Sequence, residues 1–93
     1  MTSRFRITLG QMNPTVGDLS GNANLARDAW AQGKQAGADL VALPEMFITG
    51  YNAQDLVMKP AFQLDVMNHI QALAADCADG PALAIGTLWV EGA

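Results

Sequence analysis

Leu40-Val41-Ala42-Leu43-Pro44-Glu45 is the stretch on which the fold turns. Four consecutive apolar residues are too few for a helix and show no polar alternation. They read as a short strand covered on both faces, as in the interior of an α/β sheet. Pro44 lacks the N–H that a sheet ladder needs and ends the strand. Glu45 therefore stands immediately beyond the carboxyl end of a buried strand.

Working outward, the same βα alternation appears on both sides. Upstream, Phe5, Ile7 and Leu9 alternate with Arg6, Thr8 and Gly10, which predicts a strand over Phe5–Met12. Asn13-Pro14 breaks it and Gly17-Asp18 marks a turn. A helix is expected from about Asn22 to Ala36, capped by Ser20 or Asn22. Its inner face is Ala23, Ala26, Trp30 and Gly33, and Gly37 is its stop. Downstream, Glu45 to Tyr51 reads as a loop and Asp55 to Lys59 as a single helical turn. Pro60 opens a second helix that runs to about Ala78. Phe62, Val66, Ile70, Leu73 and Cys77 form its apolar stripe. Asp79-Gly80-Pro81 terminates it, and Ala82–Val90 is a third strand, apolar on both faces. Gly86 within it suggests a place where another part of the chain comes close. Glu91-Gly92-Ala93 reads as the start of a turn.

The order β-α-β-α-β predicts a layered α/β fold. Right-handed crossovers put both helices on one side of the sheet. The opposite side then needs a second layer that these residues do not contain. A bare apolar sheet face associates or aggregates, so the isolated chain is expected not to be a stable soluble monomer. No repeat, low-complexity segment or linker divides the chain.

Composition narrows the class. The chain has 93 residues, 51% of them apolar, enough to build a core. Only 15% are charged, which suits a part of a larger body. A net charge of −4 without clustered Lys and Arg argues against nucleic-acid binding. Nothing resembles a signal peptide or a span of about 20 apolar residues. One cysteine allows no internal disulfide. We therefore expect a cytoplasmic chain.

Glu45 is the residue best placed for chemistry. In α/β sheets functional groups collect at the carboxyl ends of strands. A carboxylate there has rigid support, and partial desolvation would raise its pKa toward general-base use. From position alone it could equally cap a helix or pair with an Arg. Cys77 lies on the apolar stripe beside Asp76 and Asp79, with no basic neighbour, and reads as an inert core thiol. His69 sits four residues after Asp65, as an exposed helical pair does. One His and one Cys do not make a metal site. Neither a dinucleotide fingerprint nor a Walker loop is present. Trp30 and Trp89 read as core or interface residues.

Pro44-Glu45-Met46-Phe47-Ile48-Thr49-Gly50-Tyr51 resembles the catalytic-glutamate segment of the nitrilase (carbon-nitrogen hydrolase) superfamily. That family also opens with a strand ending in Gln, a Gly-Asp turn and a helix with an early Asn. Gln11, Gly17-Asp18 and Asn22 or Asn24 match these. Gln11 to Leu19 and Asp55 to Phe62 are similar to the opening of the glutamine-dependent NAD synthetase branch. The resemblance covers essentially the whole chain. It implies the first β-α-β-α-β portion of an α-β-β-α sandwich. It also implies a partial carbon-nitrogen hydrolase domain over residues 1–93, cut on its C-terminal side.

The resemblance further implies a Cys–Glu–Lys triad with Glu45 as general base and Tyr51 near the substrate pocket. The family's lysine and cysteine lie further along, so the chain alone is expected to be inactive. Lys59 falls where the family's lysine does not occur. Glutamine is the implied substrate, and the remainder of the same chain is the implied partner, in a homo-oligomer. ATP with magnesium and nicotinic acid adenine dinucleotide are implied for a synthetase domain elsewhere, and no cofactor for residues 1–93. A stand-alone amidase of the same superfamily and a non-catalytic interaction module are the alternatives.

Overall fold

The computed structural model describes residues 4–50 and 54–91. Three strands, β1 (Ile7–Leu9), β2 (Leu40–Ala42) and β3 (Ala82–Ala84), alternate with helices α1 (Leu19–Gln35) and α2 (Pro60–Asp76). A 3-10 segment over Gln54–Met58 leads into α2, where one helical turn was expected. The strands run parallel in the order β1-β2-β3, so the stretch Leu40–Ala42 is the centre of the sheet. The α/β architecture matches the expectation.

Helix α1 begins three residues before the predicted start, and its cap is neither Ser20 nor Asn22. Asp18 caps it: a carboxylate oxygen accepts the Gly21 N–H at 3.0 Å, satisfying one orphan donor of the first turn. The expected inner face is correct, with Ala23, Ala26, Trp30 and Gly33 all buried. Ala23, Ala26 and Gly33 are small enough to bring α1 close to the sheet, and a side chain added at Gly33 would run into Val41. The helix ends where Gly37 takes the left-handed conformation, φ 79°.

Helix α2 starts at Pro60 as expected and stops at Asp76, two residues before Ala78. Val66 and Leu73 of its stripe are fully buried. Phe62, Ile70 and Cys77 pack half-buried around them. The two helices meet over one face of the sheet, where Ala26, Phe47 and Leu73 form one cluster and Ala29, Trp30 and Val41 another. The Trp30 indole N–H donates to the Pro81 carbonyl at 2.8 Å, tying α1 to the turn before β3. Lys34 lies over the same ring, 5.2 Å from its centre.

The outer strands are shorter than predicted: three residues each, against Phe5–Met12 and Ala82–Val90. The physical reason is the central strand. Both β1 and β3 pair with β2 alone, and β2 is itself only Leu40–Ala42. Beyond it the segments stay alongside one another through single bonds. Leu43 N–H reaches Ala84 O at 2.8 Å, and Gly10 N–H reaches Ala42 O at 2.9 Å.

The register sorts the faces. Thr8, Val41 and Leu83 are level and lie on the helix side, where Val41 is fully buried. Leu9, Ala42 and Ala84 share the other face with Ile7, Leu40 and Ala82. There Phe5 (67%), Ile7 (53%) and Leu9 (72%) are exposed. The apolar stripe of the first strand thus points away from both helices. This is the uncovered face that the sequence predicts.

Candidate functional site

At the carboxyl end of β2 the chain leaves the sheet through Leu43 and Pro44 and turns over residues 45–49. The turn is anchored from inside. Phe47 and Ile48 have no exposed surface and sit in the two core clusters beneath the helices. Ile48 N–H reaches Gly86 O at 3.3 Å, and Gly17 N–H donates to Thr49 O at 2.9 Å. The Thr49 hydroxyl is held within its own turn, 3.3 Å from Met46 O and 3.2 Å from Gly50 O.

Two features of the backbone make this geometry tight. Met46 takes a left-handed conformation, φ 57°, which costs energy for a residue with a side chain. Gly50 follows with φ 79° and lies so close to Val16 that a Cβ would fall 2.6 Å from its N and Cα. On the opposite flank, a Cβ at Gly86 would fall 2.5 Å from Met46 N and 2.9 Å from the Glu45 Cα and carbonyl carbon. The close approach expected at Gly86 is therefore found, and the neighbour is the Glu45–Met46 peptide itself.

One buried contact was not anticipated from the sequence. Asn22, considered there as a helix cap, is buried to 1% exposure. Its carboxamide oxygen accepts Thr15 N–H at 2.8 Å. Its amide nitrogen donates to Thr15 O at 2.8 Å and to Ile48 O at 2.9 Å. All the polar capacity of the side chain is spent joining the segment before α1 to the turn that carries Glu45. The signal available in the sequence was an Asn one helical turn into an otherwise small and apolar face.

Glu45 is fixed in backbone position by these contacts, but its side chain is exposed. The partial desolvation expected of it is absent, because no described residue covers the end of β2. Beside it lies a shallow cleft of about 220 Å³ lined by Leu9, Gly10, Gln11, Ala42, Leu43 and Pro44. The cleft lining joins Gln11, two residues beyond β1, to Pro44, the residue before Glu45. Tyr51 lies outside the described residues.

The remaining singled-out residues stand elsewhere. Lys59 is the exposed residue immediately before α2. Cys77 is half-buried against the core, and burial pushes its thiol pKa up. Arg27, which bonds Asp76 at 2.8 Å, partly offsets that rise, so the expectation of no basic neighbour is corrected. Asp76 and Asp79 push it up further. His69 and Asp65 form the expected i,i+4 pair at 3.8 Å. Trp30 is core, whereas Trp89 is about half exposed. Among the described residues no group of three or more His, Cys, Asp or Glu could hold a metal ion. Nor is any helix long and apolar enough to cross a membrane.

Comparison with known proteins places this arrangement. Residues 6–89 match the family model of the carbon-nitrogen hydrolases. The chain is 64% identical over 91 residues to a glutamine-dependent NAD(+) synthetase of Rhodobacter capsulatus, covering 98% of this chain and 16% of that protein. It is 38% identical over 71 residues to that of Thermotoga maritima, covering 76% of this chain and 12% of the relative. The fold superimposes on a glutamine-dependent NAD(+) synthetase from Cytophaga hutchinsonii with a TM-score of 0.76 and 31% identity, over 81% of this chain and 13% of that one. The chain spans about a sixth of the length of the relatives it matches. With its segments in the family's order over nearly its whole length, the chain belongs to the carbon-nitrogen hydrolase family.

Proposed function

We propose that this chain is part of a glutamine-hydrolysing domain that supplies ammonia for NAD synthesis, with Glu45 as its general base. One observation carries the reading. Glu45 follows the central buried strand of a carbon-nitrogen hydrolase fold, on a turn fastened to both neighbouring segments. That mounting is what a proton-transfer group needs, since the base must hold hydrogen-bond reach to the reacting atom.

In this reading residues 1–93 are a partial carbon-nitrogen hydrolase domain. A cysteine thiol supplied by sequence beyond them attacks the glutamine carboxamide carbon. Glu45 takes the thiol proton and passes it to the leaving nitrogen, so that ammonia departs and a thioester remains. Water, deprotonated by the same carboxylate, then cleaves the thioester to glutamate and restores the thiol. A lysine, also from beyond these residues, and a backbone N–H stabilise the oxyanion. Tyr51 is assigned to the substrate pocket. The 93 residues alone hold neither the nucleophile nor the lysine and are inactive in this account.

ATP, magnesium and the dinucleotide do not fit the residues at hand. The described part offers no ligand cluster for a metal, and the sequence has no phosphate-binding glycine loop. Their chemistry belongs to a separate synthetase domain in this proposal, in a cytoplasmic, oligomeric enzyme. Relatives matched over nearly the whole chain are synthetases, which favours this reading over a stand-alone amidase.

The test uses the completed enzyme, in which these residues replace the matching segment of the Rhodobacter capsulatus relative. Glu45→Gln should abolish synthesis driven by glutamine and spare synthesis driven by free ammonia. Equal loss of both would remove Glu45 from amide hydrolysis.

A further inference from the structure

Asn22 is, with Thr49, one of the two buried polar side chains among the described residues, and its bonds join the segment before α1 to the turn that carries Glu45. From α1 it reaches the Ile48 carbonyl at 2.9 Å, across 26 residues of chain. It holds Thr15 on both sides, by N–H and by carbonyl, each at 2.8 Å. The Thr15–Asp18 segment in turn holds the same loop, through Gly17 N–H on Thr49 O. Val16 packs against Gly50. Asn22 is therefore the one side chain that bonds directly to the catalytic turn and also secures the segment bracing that turn from the other side.

A helix cap would do none of this. The cap position is filled by Asp18, which bonds Gly21. An apolar residue of the same size at position 22 would complete the core equally well. It would leave the Ile48 carbonyl and the Thr15 N–H without these partners, however, while the Thr15 carbonyl would keep the Asp18 N–H at 3.1 Å, and a carbonyl deprived of its donor turns toward water. Ile48 is three residues from Glu45, with the strained Met46 between them. A turn holding a left-handed Met needs outside contacts that over-determine it. Among the described residues, two bonds hold Ile48: its N–H to Gly86 O and its carbonyl to Asn22.

Resting on the reading of Glu45 as general base, we infer that Asn22 is a positioning residue for that base. It sets the Glu45 carboxylate against the reacting thiol by clamping the Ile48 carbonyl, and it does not touch substrate. Its removal acts on the rate of chemistry more than on glutamine binding, since a displacement of about 1 Å in a catalytic group costs on the order of a hundredfold in rate.

The experiment compares Asn22→Ala, Asn22→Asp, Glu45→Gln and Trp30→Phe in the completed enzyme. Asn22→Asp keeps the shape and the acceptor for Thr15 N–H but cannot donate to Ile48 O. Trp30→Phe removes a buried hydrogen bond at the far end of the same helix, 2.8 Å to Pro81 O, and controls for general destabilisation. Both Asn22 variants should lower kcat for glutamine hydrolysis about ten- to a hundredfold. KM for glutamine should change by less, and synthesis from free ammonia should be kept. Trp30→Phe should lower the thermal midpoint and leave kcat as it was. Should Asn22→Ala fail to fold, Asn22→Ser carries the same readout, its hydroxyl being too short to span Thr15 and Ile48 together. Wild-type kcat in the Asn22 variants beside an inactive Glu45→Gln overturns the inference and leaves the general-base reading standing. So does an equal loss of kcat in Trp30→Phe. Retained glutamine turnover in Glu45→Gln overturns both.

Discussion

Replacing one hydrogen atom at Gly86 by a methyl group should separate the position of the Glu45 carboxylate from the catalytic role proposed for it. In Gly86→Ala the new Cβ would stand 2.5 Å from Met46 N and 2.9 Å from Glu45 Cα and its carbonyl carbon. Ordinary van der Waals contact begins near 3.4 Å, so the two segments must part by about 0.9 Å. Both are backbone, and neither can swing aside as a flexible side chain would. Phe47 and Ile48 block retreat of the turn toward the core, because both are already fully buried. Retreat of the turn therefore carries Glu45 outward, away from the core. Overpacking of this kind costs about 1–3 kcal/mol of stability. A shift approaching 1 Å in the base costs on the order of a hundredfold in kcat. The assay is ammonia release from glutamine by the completed enzyme, with ammonia-driven synthesis as the internal control and circular dichroism to follow unfolding. A folded Gly86→Ala enzyme with wild-type kcat would refute the claim that contact with Gly86 sets the position of Glu45.

Two further outcomes follow from the same geometry. Cys77→Ser in the completed enzyme should leave kcat for glutamine unchanged, because the thiol packs into the core. Burial keeps this thiol protonated above its ordinary value of 9.0, against the partial offset from Arg27. Alkylation by iodoacetamide should accordingly lag behind that of free cysteine up to and past pH 9.0. The sign for stability is the same: the contribution is complete below that pH and is lost as pH rises through the folded-state value. Loss of turnover in Cys77→Ser, or rapid alkylation at neutral pH, would return the thiol to the list of nucleophiles. The second outcome concerns the uncovered sheet face. The 93-residue chain by itself should associate in size-exclusion chromatography, and Ile7→Lys with Leu9→Lys should shift it toward smaller species. Each such side chain offers about 1.5–3 kcal/mol on burial. A monodisperse wild-type monomer that unfolds cooperatively would contradict this.

What the sequence made legible was the part governed by local rules. The strand at Leu40–Ala42, Pro60 at the head of α2 and the left-handed stop at Gly37 depend only on neighbours in the chain, and each appears as expected, although of the strand only Val41 is buried. The face without cover, expected from the one-sided crossovers and the doubly apolar strands, is the one from which Phe5, Ile7 and Leu9 project. Strand lengths were not legible, because a parallel ladder can be no longer than its central member, and that limit is set by a residue far away. The role of Asn22 was hidden for a similar reason. Its partners lie 7 and 26 residues distant, and an Asn near a helix start looks like a cap until Asp18 is seen to fill that place. The left-handed Met46 had no sequence signal at all, since no residue type there announces it. The desolvation expected of Glu45 failed because burial is a property of a whole layer, and the layer concerned is not formed by these residues.

The bare sheet face and the exposed carboxylate are then two aspects of one geometry. Leu9 and Ala42 belong to the uncovered face, and both also line the cleft next to Pro44 and Glu45. A second layer laid on that face would bury the apolar stripe of β1 and at the same time wall the cleft on its open side. The carboxylate beside it would then be closed off from bulk water. Packing energy from Phe5, Ile7 and Leu9 would thus assemble the environment that Glu45 needs. The helix side already supplies the complementary half, a fixed backbone held by Asn22 and Gly86. The position of Glu45 is encoded within these residues, and its shielding from water falls to whatever covers them.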